Sequence, residues 1–125
     1  MKKYAVIGLG NFGYWVARTL FDANMETIAI DSDQDKVQKI RPYSDAPVVA
    51  DATERNILTS LGLDQVDAAV ISLGENVSAS ILITLYLSEM GVKEILVKAI
   101  DEDHGKILRK VGASEIIFPE KAMGI

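Results

Sequence analysis

The sequence predicts an α/β protein with a doubly wound, six-stranded parallel sheet in the order 3-2-1-4-5-6. Three observations predict this fold. Short apolar runs alternate with helical patterns along the 125 residues. The longer runs are continuously apolar, which is typical of parallel strands covered on both faces. A glycine-rich turn follows the first run, at the place where folds of this class bind ligands.

The elements follow one another with short connections. The predicted strands cover residues 4–7, 27–30, 48–50, 68–73, 94–99 and 115–118. The predicted helices cover residues 15–21, 33–40, 53–61, 76–90 and 103–111. Thr53 is the expected N-cap of the third helix, and Pro42 stops the second. Right-handed crossovers then bring the carboxyl ends of strands one and four side by side.

The chain is long enough for one domain, which we assign to residues 1–118. Pro119 opens residues 119–125 as the first turn or two of a further helix. Because no capping signal follows, we expect the natural chain to continue beyond Ile125.

Composition excludes several classes of function. The net charge is −5 and the 13 basic residues form no run, whereas nucleic acid and anionic lipid both require clustered Lys and Arg. The absence of cysteine excludes disulfides and thiolate metal sites. No apolar run approaches the roughly 20 residues that cross a bilayer, and the start leaves no room for a signal peptide. We expect a cytoplasmic protein without direct membrane insertion.

The glycine-rich turn has the sequence Gly8-Leu9-Gly10-Asn11-Phe12-Gly13. Gly8 permits the tight turn, Gly10 lets a pyrophosphate approach the backbone, and Gly13 lets the helix lie close to the strand. The N–H groups of the first helical turn then face the anion. This pattern predicts a Rossmann-like nucleotide site. The alternative is that the glycines serve packing alone.

Asp31 ends the second strand, about 20 residues after the glycines, where an acid binds ribose hydroxyls in this motif. The alternative role is N-cap of the helix that begins near Gln34, which Ser32 or Asp33 would fill equally well. A carboxylate at this position repels a 2′-phosphate, so NAD or an adenosine nucleotide is favoured over NADP.

Other candidate binding residues lie at the same edge of the sheet, because the carboxyl ends of parallel strands meet there. Besides residues 8–13, the predicted cofactor-binding residues are Asp31, Ser32, Asp51, Ala52, Thr53, Leu73, Gly74, Glu75 and Lys98.

No constellation for catalysis is present in the sequence. The one histidine, His104, follows three acids at a polar helix start, where we expect it to be solvated or to cap the helix rather than to act as a catalytic acid. Ser72, Ser78 and Ser80 have no nearby base. No metal-ligand spacing occurs, and a dehydrogenase would also need a substrate domain. We therefore predict a protein that is not an enzyme.

The predicted helix over residues 76–90 is apolar around most of its circumference. A helix on one face of a sheet needs an apolar stripe of only about 100°. Either this helix is packed deeply in the core or part of it contacts another subunit. We favour a homodimer or larger assembly.

Several short segments together point to one family. They are, in chain order, Ala5-Val6-Ile7-Gly8-Leu9-Gly10-Asn11-Phe12-Gly13, Ile30-Asp31, Ala50-Asp51-Ala52-Thr53, Ser72-Leu73-Gly74-Glu75-Asn76, Val97-Lys98-Ala99, and Gly112-Ala113 with Phe118-Pro119-Glu120. The set resembles the RCK domain (also called KTN or TrkA-N) of the Trk/Ktr potassium-uptake regulators, over essentially the whole chain.

The resemblance implies a cytoplasmic, nucleotide-sensing gating subunit. Such subunits assemble into dimers and then into a ring beneath a potassium-transporting membrane protein. NAD(H), ATP and ADP bind at the rim of the sheet, which is the edge formed by the carboxyl ends of the strands. Nucleotide exchange changes the shape of the ring of subunits. The family continues through a crossover helix into a smaller C-terminal regulatory domain.

Two positions bear on the choice of nucleotide. The family often has Arg, which reaches a terminal phosphate, where this chain has the uncharged Asn11. This difference favours NAD(H), with ATP and ADP as the alternatives. The acid of the family's Pro-Glu pair, which can bind a divalent cation with ATP between subunits, falls on Glu120. The alternative for Glu120 is a first-turn helix acid.

Two other classes of function remain as alternatives to the gating subunit. The first is an NAD-dependent oxidoreductase that lacks its substrate domain here. The second is a structural module with a vestigial nucleotide fold.

Overall fold

The computed structural model describes residues 2–118, and these contain six strands and five α-helices. The strands are β1 (Lys3–Ile7), β2 (Glu26–Asp31), β3 (Ala46–Val49), β4 (Ala68–Ile71), β5 (Glu94–Lys98) and β6 (Glu115–Ile117). The helices are α1 (Asn11–Asp22), α2 (Gln34–Ile40), α3 (Arg55–Ser60), α4 (Val77–Glu89) and α5 (Glu102–Lys110). Short 3₁₀ helices occupy Arg41–Tyr43 and Leu63–Gln65. The predicted helix start over residues 119–125 lies outside the described part.

All the strand pairs are parallel, and the strand order is β3-β2-β1-β4-β5-β6. This confirms the predicted topology. Ile7, near the end of β1, lies beside Ile30 on one side and Ile71 on the other. The winding reverses between β1 and β4, so a crevice opens beyond these three residues, at the carboxyl ends of the strands.

Two separate hydrophobic layers cover the sheet. On one face, alternate sheet residues pack against α1 and α2, in a cluster of Val6, Leu9, Ala17, Ala29, Val37 and Ile40. On the other face, the intervening sheet residues pack against α3, α4 and α5, including Leu58, Ile83, Leu87 and Leu108. Both faces of the sheet are therefore buried by helices, which is why its strands are continuously apolar.

Helix α1 begins at Asn11, four positions before the predicted start at residue 15. Gly10 takes the N-cap position in an extended conformation, and Gly13 lies within the first turn. The low helix propensity of Asn and Gly suggested a later start, but the tertiary packing of this turn overrides local propensity.

The prediction that Thr53 caps the third helix is wrong. The N-cap of α3 is Glu54, with no side-chain capping bond. Thr53 instead donates its hydroxyl proton to Asp51 Oδ1, at 2.6 Å, because the preceding carboxylate competes for the hydroxyl.

Candidate functional site

The glycine turn is held between two strands. Gly8 has a φ of +95°, and its N–H donates to the Ile30 carbonyl of β2 at 2.8 Å. A Cβ at Gly8 would collide with the carbonyl oxygen of Ser72, which follows β4. Only glycine satisfies both the left-handed backbone and this close approach. The turn therefore lies where the two windings of the sheet meet.

The other two motif glycines have different surroundings. A Cβ at Gly13 would collide with the carbonyl oxygen of Gly8 and lie 3.7 Å from Val6 of β1, so α1 lies close to the strand and its turn at this position, as Gly13 was expected to allow. A Cβ at Gly10 would meet no atom within 4 Å. The space outside Gly10 is open, as a ligand approaching the backbone requires.

The start of α1 is suited to an anion. The helix is 12 residues long, has no side-chain cap at Gly10 and has no acidic residue in its first turn. The N–H groups at the start of an α-helix have no partner within the helix, and the helix dipole adds positive potential there. This end of α1 faces the crevice between β1 and β4.

Asp31 is tied to the glycine turn by its side chain. Its Oδ2 accepts the Leu9 N–H at 2.7 Å, and its Oδ1 accepts the Asp33 N–H at 2.8 Å. The N-cap of α2 is Asp33, which accepts the Asp35 N–H, so Asp31 does not cap this helix. A carboxylate offers about four acceptor positions, so two remain for hydroxyl donors.

These elements surround a cleft of about 390 Å³, a size within the range of small-molecule sites. Of the predicted site residues, the following line it: Gly8, Gly10, Asn11, Phe12, Asp31, Ser32, Leu73, Gly74 and Lys98. The lining also includes Ser72 and Asn76 of the loop after β4, and Lys36 of α2. The structure thus brings three separate rim loops of the sequence together around one cavity.

Two lysines line the cleft together with Asp31. Lys98, at the end of β5, is half-buried, and its Nζ lies 5.1 Å from the centre of the Phe12 ring. Lys36 enters from the first turn of α2. Sequence reasoning missed Lys36, because a lysine on a short polar helix resembles a solvated residue. The available signal was its position just after Asp31, in a helix that starts at the rim.

The remaining predicted site residues lie outside this lining. Leu9 and Gly13 are buried beneath the turn, and Ala52 is packed in the core. Glu75 is exposed in the loop after β4. None of these residues lines the cleft.

Asp51 and Thr53 form a closed turn of their own. Asp51 Oδ1 accepts both the Thr53 N–H, at 3.0 Å, and the Thr53 hydroxyl, at 2.6 Å. These two hydrogen bonds lower the pKa of Asp51. The carboxylate therefore stays ionised and holds the loop after β3 in a fixed shape.

His104 is neither solvated nor a cap, so that prediction is wrong. Its side chain is 3% exposed, between α4 and α5. Nε2 lies 2.7 Å from Ser80 Oγ, and Nδ1 accepts the Ile100 N–H at 3.0 Å. Burial lowers the pKa of His104, with an opposing effect from Asp101. The polar sequence around His104 concealed this, because its partner Ser80 lies on another helix.

A second cavity, of about 580 Å³, lies on the far side of the α1 start. Trp15 and Phe118 line it and are 54% and 48% exposed. Lys98 and Phe12 border both cavities.

The described residues offer neither a metal cluster nor a membrane-spanning helix. Within residues 2–118, no three His, Asp or Glu side chains are grouped as a metal site would need. Glu120, the predicted cation ligand, lies outside these residues. Over the same described range, no helix is long and apolar enough to span a membrane.

The sequence is similar to those of bacterial potassium uptake proteins. Ktr system potassium uptake protein C of Bacillus subtilis is 43% identical over 122 residues, which are 98% of this chain and 55% of that protein. Ktr system potassium uptake protein A of the same organism is 42% identical over 124 residues, 99% of this chain and 56% of that protein. The chain thus spans about half the length of these relatives.

Solved structures share the fold. The TrkA-N domain of inner membrane protein ybaL from Escherichia coli superposes with a TM-score of 0.85 at 16% identity, over 94% of this chain and 87% of that one. The GsuK channel bound to NAD gives 0.79 at 16% identity, over 93% of this chain and 21% of that one. GsuK bound to ADP gives 0.78 at 16% identity, over 93% and 31%.

The family model of the TrkA-N domain matches residues 4–119. This range includes the glycine turn, Asp31 and every residue that lines the cleft. Since the match spans nearly the whole chain and the sequence relatives exceed 40% identity, the chain belongs to the TrkA-N domain family.

Proposed function

We propose that this chain is the nucleotide-sensing domain of a regulatory protein that gates a potassium transporter. The observation that supports it most strongly is the cleft, where the open backbone of Gly10, the uncapped start of α1 and the carboxylate of Asp31 face one space. The relatives named as potassium uptake proteins supply the physiological context. The oxidoreductase alternative has less support, because these relatives are transport proteins.

The ligand is proposed to be NAD(H), with ATP and ADP as weaker alternatives. In this arrangement the ribose hydroxyls occupy the two free acceptor positions of Asp31, and the pyrophosphate lies over Gly10 at the start of α1. Lys98 and Lys36 balance the phosphate charge. GsuK, with which the fold is shared, has been solved with NAD and with ADP.

The uncharged Asn11 is the reason for placing ATP second. At the first position of α1 it lines the cleft and is exposed. The triphosphate of ATP carries more negative charge than the pyrophosphate of NADH, so ATP gains more from a cation at this position. Any Mg²⁺ that accompanies ATP is proposed to use Glu120.

Signalling follows from differential affinity and requires no catalysis. A ligand shifts a conformational equilibrium only by the difference in its affinity for the two states. The cleft joins loops from both windings of the sheet, so a nucleotide that contacts both favours the conformation in which they lie close. We propose that this change passes to a partner subunit and then to the transporter.

Helix α4 supplies the surface for assembly in this proposal. Its buried residues face the sheet and α5, while Leu82 and Leu85 are only half-buried and do not join the core cluster. Together they form an apolar stripe on the outer side of α4. We assign this stripe to contact with a second subunit in a homodimer or ring, at the cytoplasmic side of the membrane.

The test is a calorimetric titration with NADH, NAD, ATP, ADP and NADP, with and without Mg²⁺. The expected order is NADH and NAD tightest, ADP and ATP weaker, and NADP weakest because Asp31 repels its 2′-phosphate. Asp31→Ala should weaken NADH binding by at least tenfold. Asp33→Ala, which changes an acid in the same loop that does not line the cleft, is the matched control.

Two results would contradict the proposal. Absence of binding for all five nucleotides would favour a structural module instead. Tight, Mg²⁺-dependent ATP binding with weak NADH binding would show that Asn11 does not set the preference, and Glu120 would then be the residue to change.

A further inference from the structure

A buried polar chain links two of the rim loops, and it lies behind the cleft rather than in it. It consists of His104 on α5 and Ser80 on α4, which are 3% and 2% exposed. Their side chains meet at 2.7 Å. Neither residue lines the cleft, and the nucleotide contacts proposed above do not use them.

The hydrogen bonds define the direction of this chain. The Ile100 N–H can only donate, so His104 Nδ1 accepts it, at 3.0 Å, and the imidazole proton sits on Nε2. Nε2–H then donates to Ser80 Oγ, and the Ser80 hydroxyl donates to the Val77 carbonyl at 2.8 Å. Both imidazole nitrogens of His104 and the hydroxyl of Ser80 therefore have hydrogen-bond partners, which is the arrangement that rigidifies a buried network.

Both ends of the chain reach residues that lead into the cleft. Ile100 follows Lys98 by two residues in the segment that leaves β5. Val77 is the first residue of α4, directly after Asn76, which lines the cleft with Leu73 and Gly74. No β-ladder bond joins these two segments beyond Ile71 and Val97, where the β4–β5 pairing ends. Lys98 itself pairs with Ile117 of β6, so the imidazole bridges the segment after β5 and the start of α4 beyond the point where β4 and β5 pair with each other.

We propose that His104 is a positioning residue for the nucleotide cleft, because it ties the segment after Lys98, through Ile100, to the Asn76 turn, through Ser80. The inference rests on the proposed function, since it names how that site is kept in shape. The neutral imidazole is the required form, because a proton on Nδ1 would face the Ile100 N–H.

Two conservative variants separate the two ends of the chain. The side-chain oxygen of His104→Asn lies near the position of Nδ1 and keeps an acceptor for Ile100, but it loses Ser80. The amide of His104→Gln lies near Nε2 and keeps Ser80, but it loses Ile100. Each variant should weaken NADH binding about fivefold, as loss of one hydrogen bond of ordinary strength predicts.

Ser80→Ala supplies the second test and also covers the case in which a His104 variant fails to fold. Alone it should weaken NADH binding about fivefold, because the α4 end is released. Added to His104→Asn it should have no further effect, since that end is already free. Added to His104→Gln it should cost a further fivefold, which a merely structural role would not produce.

Leu108→Val is the matched control, because Leu108 is buried on the same helix one turn further from the rim. It should lower thermal stability and leave NADH affinity unchanged. Unchanged NADH affinity in the His104 and Ser80 variants would overturn this inference alone. If the unaltered protein binds neither NADH nor ADP, the proposed function fails first, and this inference fails with it.

Discussion

The two windings of the sheet hold their rim loops in opposite ways. In the first winding, β1 to β3, the half-buried carboxylate of Asp31 accepts two backbone N–H groups. In the second, β4 to β6, the buried neutral imidazole of His104 accepts one N–H and donates to Ser80. The first arrangement is a charged carboxylate bonded to backbone N–H groups, whereas the second is an uncharged contact between two helices.

This difference suits the two windings to different roles at the cleft. Asp31 keeps acceptor positions free, so it can hold the turn and a ligand together. His104 has both ring nitrogens occupied and can only hold protein. The first winding therefore recognises the nucleotide, while the second sets the distance at which Lys98 and the loop after β4 meet it.

The largest expected loss of stability comes from disturbing the contact between Gly8 and Ser72, where the two windings meet. Gly8→Ala introduces a Cβ against the Ser72 carbonyl at a φ of +95°, so we expect a loss of about 3 kcal/mol in unfolding free energy. Gly62→Ala, with a φ of +76° and open space around its Cβ, should cost only about 1 kcal/mol. Urea denaturation of the two variants measures both values. Equal losses would show that the contact between Gly8 and Ser72 is not tight.

Removing the Asp31 carboxylate should lower the free energy of unfolding by less than Gly8→Ala does. Asp31→Ala leaves the N–H groups of Leu9 and Asp33 without their carboxylate partner, so we expect a loss of about 2 kcal/mol. Asp33→Ala removes only an N-cap and should cost about 1 kcal/mol. The same denaturation measurement compares them. A smaller loss for Asp31→Ala than for Asp33→Ala would argue against the link to the glycine turn.

The buried neutral imidazole of His104 predicts that the stability of the protein depends on pH. Because burial lowers the pKa of His104 below its ordinary value of 6.5, the unfolded chain takes up a proton before the folded protein does. The stability from the neutral imidazole is complete above pH 6.5 and is lost as pH falls through the folded-state pKa. Denaturation at pH 7.5, 6 and 5 should therefore show declining stability.

The control for this pH dependence is His104→Gln, which does not titrate. Its stability should vary less over the same pH range. Asp51 does not interfere, because its lowered pKa acts only below its ordinary value of 3.8. Parallel pH profiles for the two proteins would contradict the buried neutral imidazole.

The smallest expected effect concerns the surface between α3 and α4. Arg55 and Glu89 form an ion pair of 2.6 Å, and both side chains are 47% exposed. Glu89→Gln should cost less than about 1 kcal/mol, because exposed ion pairs are screened and solvated. The difference should shrink further in 1 M salt. Thermal melts at low and high salt test this, and a salt-independent loss would point to packing instead.

The same contrast determines what the sequence could predict. The glycine turn and Asp31 were predictable because glycines followed by an acid about 20 residues later form a recognisable spacing, and the strand order follows from the alternation of elements. Thr53 was assigned wrongly, because the competing acceptor, Asp51, offers a better hydrogen bond than the helix start. Ser80, the partner of His104, lies on another helix, so no local pattern contains that contact, whereas the signal for Lys36 was only its position just after Asp31.

The most direct test of the central claim is a backbone amide NMR titration of the protein with NADH. We expect the largest shifts at Gly10, Asn11, Ser32 and Gly74, with smaller shifts at Ile100. Residues at the opposite edge of the sheet, such as Asn24 and Asp45, should not move. Shifts confined to that edge, or no shifts at saturating NADH, would contradict the assignment of this cleft as the nucleotide site.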